Sequence, residues 1–253
     1  MFDYEHSIKL STNAIEHYPE LVRGWKESQD FVSAAGGLQS LAGEFVRRGL
    51  MSWRHGESPV DDLKSAYDTF RELVQLSSRG QQTHGTGGVD CDMFARAFSL
   101  LNAEIDVLPW RDEEIANDEV PEYLIYSRFV SLRLQSRSEA EQQLERVIGF
   151  LESGRRLVDQ SYRVYLMLLG DMPATNSVDE LVAQAEWNWA RRKTDQYFDP
   201  LPIHEGFGDF NVAYPDLTLA AILRKVGWEG ESVHRWKWDT PRNAGVTARR
   251  DKP

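Results

Sequence analysis

Three things are scarce in this chain: cysteine, long apolar runs and positive charge. Cys91 is the one cysteine among 253 residues. It can form no intramolecular disulfide, so stability must come from burial, as suits a reducing cytosol. The longest apolar patches, such as VYLML at 164–168, fall well short of the roughly 18 residues a membrane helix needs. The opening MFDYEHSIKL has neither the basic start nor the apolar centre of a signal peptide, which makes a cytoplasmic protein the expectation. Lys and Arg total 29 against 40 Asp and Glu, a formal net charge of -11. Such a surface repels phosphate backbones and attracts basic proteins. Direct nucleic-acid binding and membrane insertion are therefore not expected.

Several catalytic signatures are missing too. A helical zinc protease needs HExxH, with two histidines one turn apart facing one ion. His204-Glu205 is followed by glycines instead, and His6, His17, His55, His84 and His234 show no ligand spacing. No GxSxG holds a serine on a strained turn. Cys91 sits at a predicted helix start, where a thiol can be activated, though a small buried thiol is the commoner role. The HGTGG loop near Gly85 lacks the lysine and hydroxyl of a phosphate-binding loop, and Asp90 follows where a phosphate would sit.

What is present is helical periodicity almost throughout, so the expected fold is all-α, a compact multi-helix globule of antiparallel helices with little or no sheet. A first amphipathic stretch covers about 4–17 and is expected to end near Pro19. A long helix then follows from Leu21 through Trp25, Phe31, Leu38 and Phe45 to Leu50. Gly56 marks a turn. Ser58, Pro59, Asp61 and Asp62 are a cap, a first-turn proline and two acids against the helix dipole, which together predict a helix start. Further helices are expected over about 91–106, 123–134, 139–151, 160–169, 179–196 and 215–226, with Ser177 or Asn176 as a cap and Gly227 as a stop. One domain over 1–240 is expected, with a candidate sub-boundary near 107–120 and a loosely held tail over 241–253.

Two stretches gather polar groups. WRDEEIANDEVPE, at 110–122, holds Asp112, Glu113, Glu114, Asp118, Glu119 and Glu122 against Arg111 alone. EWNWARRKTDQYFDPLPIHEGFGDFN, at 186–211, combines aromatics with Asp199, His204, Glu205 and Asp209. A metal or acid/base site at His204, Glu205 and Asp209 is one reading of the second stretch; a hydrogen-bonded structural histidine is the other. Arg191, Arg192 and Lys193 suit a helix end, and Trp187, Tyr197 and Phe198 are expected to anchor the following loop to the core.

LMSWRHGESPVDDLKSAYDTF, at 50–70, resembles the N-terminal motif of PoNi-type bacterial toxin-immunity proteins through Trp53, Gly56, Asp61, Asp62, Leu63 and Lys64. The closing order is also similar to that family and to a related immunity class numbered forty-nine. A helix bearing Trp187 and Trp189 leads through an aromatic, acidic loop to DLTLAAILRKVGW and a last aromatic segment ending near Pro241. GFGDFNVAYPDLTLAA stands where the family has an aromatic triplet and a glutamate. The resemblance implies a helical, non-enzymatic protein without cofactor or metal that neutralises a cognate toxin, often a nuclease with a basic active-site surface. The expected contact residues are Asp112, Glu113, Glu114, Asp118, Glu119, Glu122, Asp199, Glu205 and Asp209. A helical peptide-binding adaptor is a further alternative, and sequence does not give the oligomeric state.

Overall fold

The computed structural model describes residues 4–78, 88–104, 122–191 and 216–237. Within them the chain is all-α: α1 (Tyr4–Glu27), α2 (Phe31–Arg54), α3 (Val60–Ser78), α4 (Gly88–Leu100), α5 (Glu122–Leu134), a short 3-10 turn (Ser138–Gln143), α6 (Leu144–Ser153), α7 (Leu157–Leu169), α8 (Val178–Arg191) and α9 (Leu217–Val226). No strand occurs among the described residues. No described helix is long and apolar enough to cross a membrane.

The first three helices form an antiparallel layer. Ser11 of α1 donates to Glu44 late in α2 at 2.7 Å. Arg48 grips the carboxylate of Asp62 at the start of α3 with Nε at 3.1 Å and Nη2 at 2.6 Å. Lys26, at the end of α1, pairs with Glu72 near the end of α3. The boundaries explain the path. Pro19 lies inside α1 and does not end it, contrary to the sequence expectation. The break comes at Gln29, whose φ of 62° places it in the left-handed region, followed by Asp30, whose carboxylate caps α2 by accepting from the Ser33 amide at 3.1 Å. The start of α3 follows the expected pattern: Gly56 turns at φ 83°, and Ser58 Oγ accepts the Val60 amide at 3.3 Å.

An aromatic cluster joins this layer to α4. Phe70 meets Phe94 and Phe98 at 5.2 and 5.5 Å, and Tyr67 meets Phe98 edge-on at 5.1 Å. Phe94 and Phe98 are fully buried, each contributing about 1.5–3 kcal/mol by leaving water, with the ring geometry adding about 0.5–1.5 kcal/mol per pair. The second layer holds α5 to α9. There α9 packs against α4, α5 and α7, and α7 and α8 form a helical hairpin. All of Leu217–Leu223 is buried, so α9 is wrapped by its neighbours, unlike a surface helix with one apolar stripe. Buried side chains from both layers form one contiguous core.

Helix α4 begins at Gly88, ahead of the expected start at Cys91. The expected helix over 139–151 divides into the 3-10 turn and α6. Ser177 and Glu180 form the reciprocal box that opens α8, with the Ser177 amide 2.8 Å from Glu180 Oε2 and the Glu180 amide 3.3 Å from Ser177 Oγ. Gly227 ends α9 at φ 71°.

Adjacent glycines in α2 give a test of the packing. A methyl at Gly37 would lie 2.7 Å from the Trp25 ring and 2.8 Å from Val22, whereas one at Gly36 meets nothing within 4 Å. Gly37→Ala is expected to cost about 1–3 kcal/mol from overpacking, and Gly36→Ala to gain roughly 0.5–1 kcal/mol of helix propensity. Urea unfolding of both variants decides it; equal effects would contradict the close approach of α1 and α2.

Candidate functional site

Two buried polar centres stand out in the described structure. The first lies between α4 and α5. Asp92 and Arg96 are one turn apart on α4; Ser127, Arg128 and Ser131 face them from α5. Asp92 is 2 % exposed and Arg96 1 %. The Ser127 hydroxyl donates to Asp92 Oδ2 at 2.7 Å, and Arg96 Nη2 donates to the same hydroxyl and to the Ser127 carbonyl at 3.3 Å. The Ser131 hydroxyl donates to the Ser127 carbonyl at 2.9 Å. One turn further along, the Gln135 amide donates to the Ala95 carbonyl and Ser99 Oγ, both at 2.8 Å. Asp92 Oδ1 has no hydrogen-bond donor among the described residues. Burial is therefore the dominant influence on this carboxyl, pushing its pKa up to about 6 against the pull of Arg96, Ser127 and Arg128. In this enclosed setting the group can hold or release a proton.

The second centre joins α7, α8, α9 and the closing segment. Asp216, 2 % exposed, caps α9 by accepting the Leu219 amide at 3.0 Å on Oδ1, while the Tyr165 hydroxyl donates to Oδ2. The Asp216 amide donates to Nδ1 of His234 at 2.7 Å. That bond uses the lone pair of Nδ1, so the neutral ring carries its proton on Nε2. His234 also stands edge-on to Trp189, with centroids 5.9 Å apart, and its amide is held by Ser232 Oγ at 3.0 Å. Ser232 donates in turn to Glu186 of α8. The arrangement locks the closing segment onto α8 and fixes the start of α9. Beyond it, Trp236 meets Trp53 at the end of α2, 6.2 Å between centroids.

Several expected site residues lie outside the described residues: Asp112, Glu113, Glu114, Asp118, Glu119, Asp199, Glu205 and Asp209, together with His204, Tyr197 and Phe198. The side chains of Glu122 and Cys91 lie outside them as well, although both residues belong to helices. Among the described residues no three His, Cys, Asp or Glu side chains gather closely enough to hold a metal ion. One expectation is corrected. Trp187 was expected to anchor the following loop to the core, yet it is 48 % exposed, while Trp189 at 7 % is the buried one. The reason is register: Leu181, Val182, Ala185, Asn188 and Trp189 form the inward stripe of α8, which leaves Trp187 on the outer face.

No family model, curated protein or solved structure matches this chain. The polar centres were missed in the sequence because their members are 31 to 39 residues apart in the first case and 18 to 51 in the second. The available signal was Asp92/Arg96 and Ser127/Ser131, two one-turn polar pairs, one on α4 and one on α5.

Both centres yield measurable expectations. The folded-state pKa of Asp92 lies above the ordinary 3.8, so the native protein takes this proton first as pH falls. Ionised Asp92 therefore weakens the fold, an effect that develops as pH rises from about 4 to about 6, and the wild type should gain about 2 kcal/mol relative to Asp92→Asn between pH 7 and pH 4. Chemical denaturation across that range checks it, and a pH-independent difference would contradict the assignment. Tyr165→Phe strips the buried Asp216 carboxylate of a donor, with an expected loss of about 1–3 kcal/mol. Thermal unfolding of that variant at neutral pH would refute the role if its midpoint matched the wild type.

Proposed function

We propose that this protein is an immunity protein of the PoNi type, which neutralises a cognate antibacterial toxin by stoichiometric binding. The observation that carries the reading is where the negative charge resides. The formal net charge is -11, yet the described buried charges nearly cancel: Asp92, Asp159 and Asp216 against Arg96 and Arg128. The acid surplus is consequently carried outside the described core, where it is available to a partner. A nuclease that holds DNA presents a basic groove. An acidic inhibitor associates with such a groove quickly and occludes it, while desolvated apolar anchors slow dissociation.

The Trp53–Trp236 contact lends further support. It brings together the two sequence segments that resemble the immunity family, one from the end of α2 and one from the closing segment. The acid run at 112–122 and the acids Asp199, Glu205 and Asp209 are the proposed steering groups.

The test is co-expression with the toxin gene found nearest to this one, followed by purification of the pair. Cells are expected to survive only when both proteins are made, and the two should copurify. Replacing Asp112, Glu113, Glu114, Asp118 and Glu119 by lysine should slow association by about tenfold or more at low salt, with a smaller effect at high salt. Cell death regardless of this protein, together with no complex in vitro, would refute the proposal.

A further inference from the structure

The closing segment, residues 228–237, has no regular secondary structure to hold it, so its position depends on side-chain ties to the helices. The Trp228 indole donates to Asp179 of α8 at 2.7 Å in an exposed bond, and Ser232 donates to Glu186 of α8 in a half-buried one. The bond from the Asp216 amide to His234 Nδ1, at 2.7 Å, is buried. Water competes with the exposed bond and replaces it at little cost, whereas a buried amide that loses its acceptor has no substitute. His234 reaches this position from a turn, in which the Arg235 amide donates to the Ser232 carbonyl at 3.2 Å and Ser232 Oγ accepts the His234 amide. The ring is 4 % exposed.

This bond exists for one protonation state alone. Neutral imidazole offers one nitrogen as acceptor, but the imidazolium offers none, both nitrogens being donors. A proton on Nδ1 would set two N–H groups against each other. The charges around the ring leave that conflict in place. The facing acid is Asp216, whose oxygens already accept from the Leu219 amide and the Tyr165 hydroxyl; its charge attracts a proton to the ring while its own amide keeps the proton off Nδ1. On α8, Glu186 is engaged by Ser232 and Arg191 stacks on Trp187. On α9, Lys225 reaches Leu134 and Ser136, and Arg224 is half-buried. Within the segment, Arg235 turns back to the Trp228 and Gly230 carbonyls, and Glu229, Glu231 and Lys237 are exposed.

We infer that His234 is a proton-operated latch, closed while its ring is neutral and opened by protonation, which frees the closing segment from α8 and α9. The inference is independent of the toxin-binding reading. In the open form the ring reaches water and takes a proton in the ordinary histidine range, near pH 6.5. Opening therefore binds a proton, and acid favours the open form by mass action. The segment carries its aromatic contacts with it. Release parts His234 from Trp189 and Trp236 from Trp53, exposing indoles that are 7 % and 5 % exposed in the closed form. It also leaves the Asp216 amide, at the start of α9, without its acceptor.

The experiment is amide hydrogen exchange on the full chain between pH 7 and pH 5.5, each rate normalised to that of an unstructured peptide at the same pH. Protection over 228–237 and at the start of α9 should fall about tenfold across this range, while protection of α2 and α3 holds. His6, His17 and His55 are exposed, so two variants isolate the latch. His234→Asn keeps an acceptor near the position of Nδ1 and cannot take a proton; its protection should not change with pH. His234→Phe has no acceptor and should show the weak protection at every pH. Wild-type protection that stays constant, or a fall in His234→Asn equal to that of the wild type, would overturn the inference. Should both variants fail to fold, the ring nitrogen shifts of His234 in the wild type decide: protonation in step with the loss of protection supports the latch, and a ring whose charge is constant over the range refutes it.

Discussion

The structure depends on the all-round burial of α9. A ten-residue helix is too short to persist alone in water, and here the run Leu217–Leu223 has no side left for solvent. Its stability is borrowed from α4, α5 and α7, which pack around it, and their stability is borrowed from it. Burying such a helix also buries its amino end, where unpaired amides are costly. Asp216 meets that cost by capping the helix with its carboxylate, and the carboxylate is made tolerable in turn by Tyr165. Because α9 comes late in the chain and packs against α4 and α5, the core closes through contacts distant in sequence, an arrangement that slows folding.

The closing segment is fixed by the same requirement. The backbone that leads into α9 still carries a buried amide at Asp216, and His234 accepts it. The segment that carries His234 must therefore lie against α8, where Trp228, Ser232 and His234 each find a partner. One buried helix terminus thus determines where several tryptophans go. The Asp92 centre differs in character. Its carboxyl is under-supplied with donors and pushed up by burial, which makes it a weak point of the α4–α5 contact rather than a clasp.

Much of the helical framework is legible in the sequence because helix ends are decided locally. Ser58, Ser177, Gly56 and Gly227 act through bonds or backbone angles within a few residues, and a one-dimensional reading captures them. The α1–α2 break was not legible. Pro19 looks like a stop but sits inside α1, and the actual reversal needs a left-handed Gln29, which no glycine announces. The orientation of Trp187 and Trp189 was half legible: two positions apart, they cannot share a face, but which one faces inward depends on where α7 lies. The polar centres join residues of different helices and carry no local signature. The acids at 112–119, Asp199, Glu205 and Asp209 lie outside the described residues, so their part in the proposed site rests on composition and charge.

A core with nearly balanced internal charge in a chain of net charge -11 is what supports the proposal that this protein binds a toxin. The central claim is that it inactivates a toxin by occupying it, molecule for molecule. The most direct measurement is the enzymatic activity of the purified toxin as this protein is titrated in. Occupation predicts a linear fall that reaches zero at one molar equivalent. Undiminished activity at a large molar excess, with both proteins folded, would contradict the account.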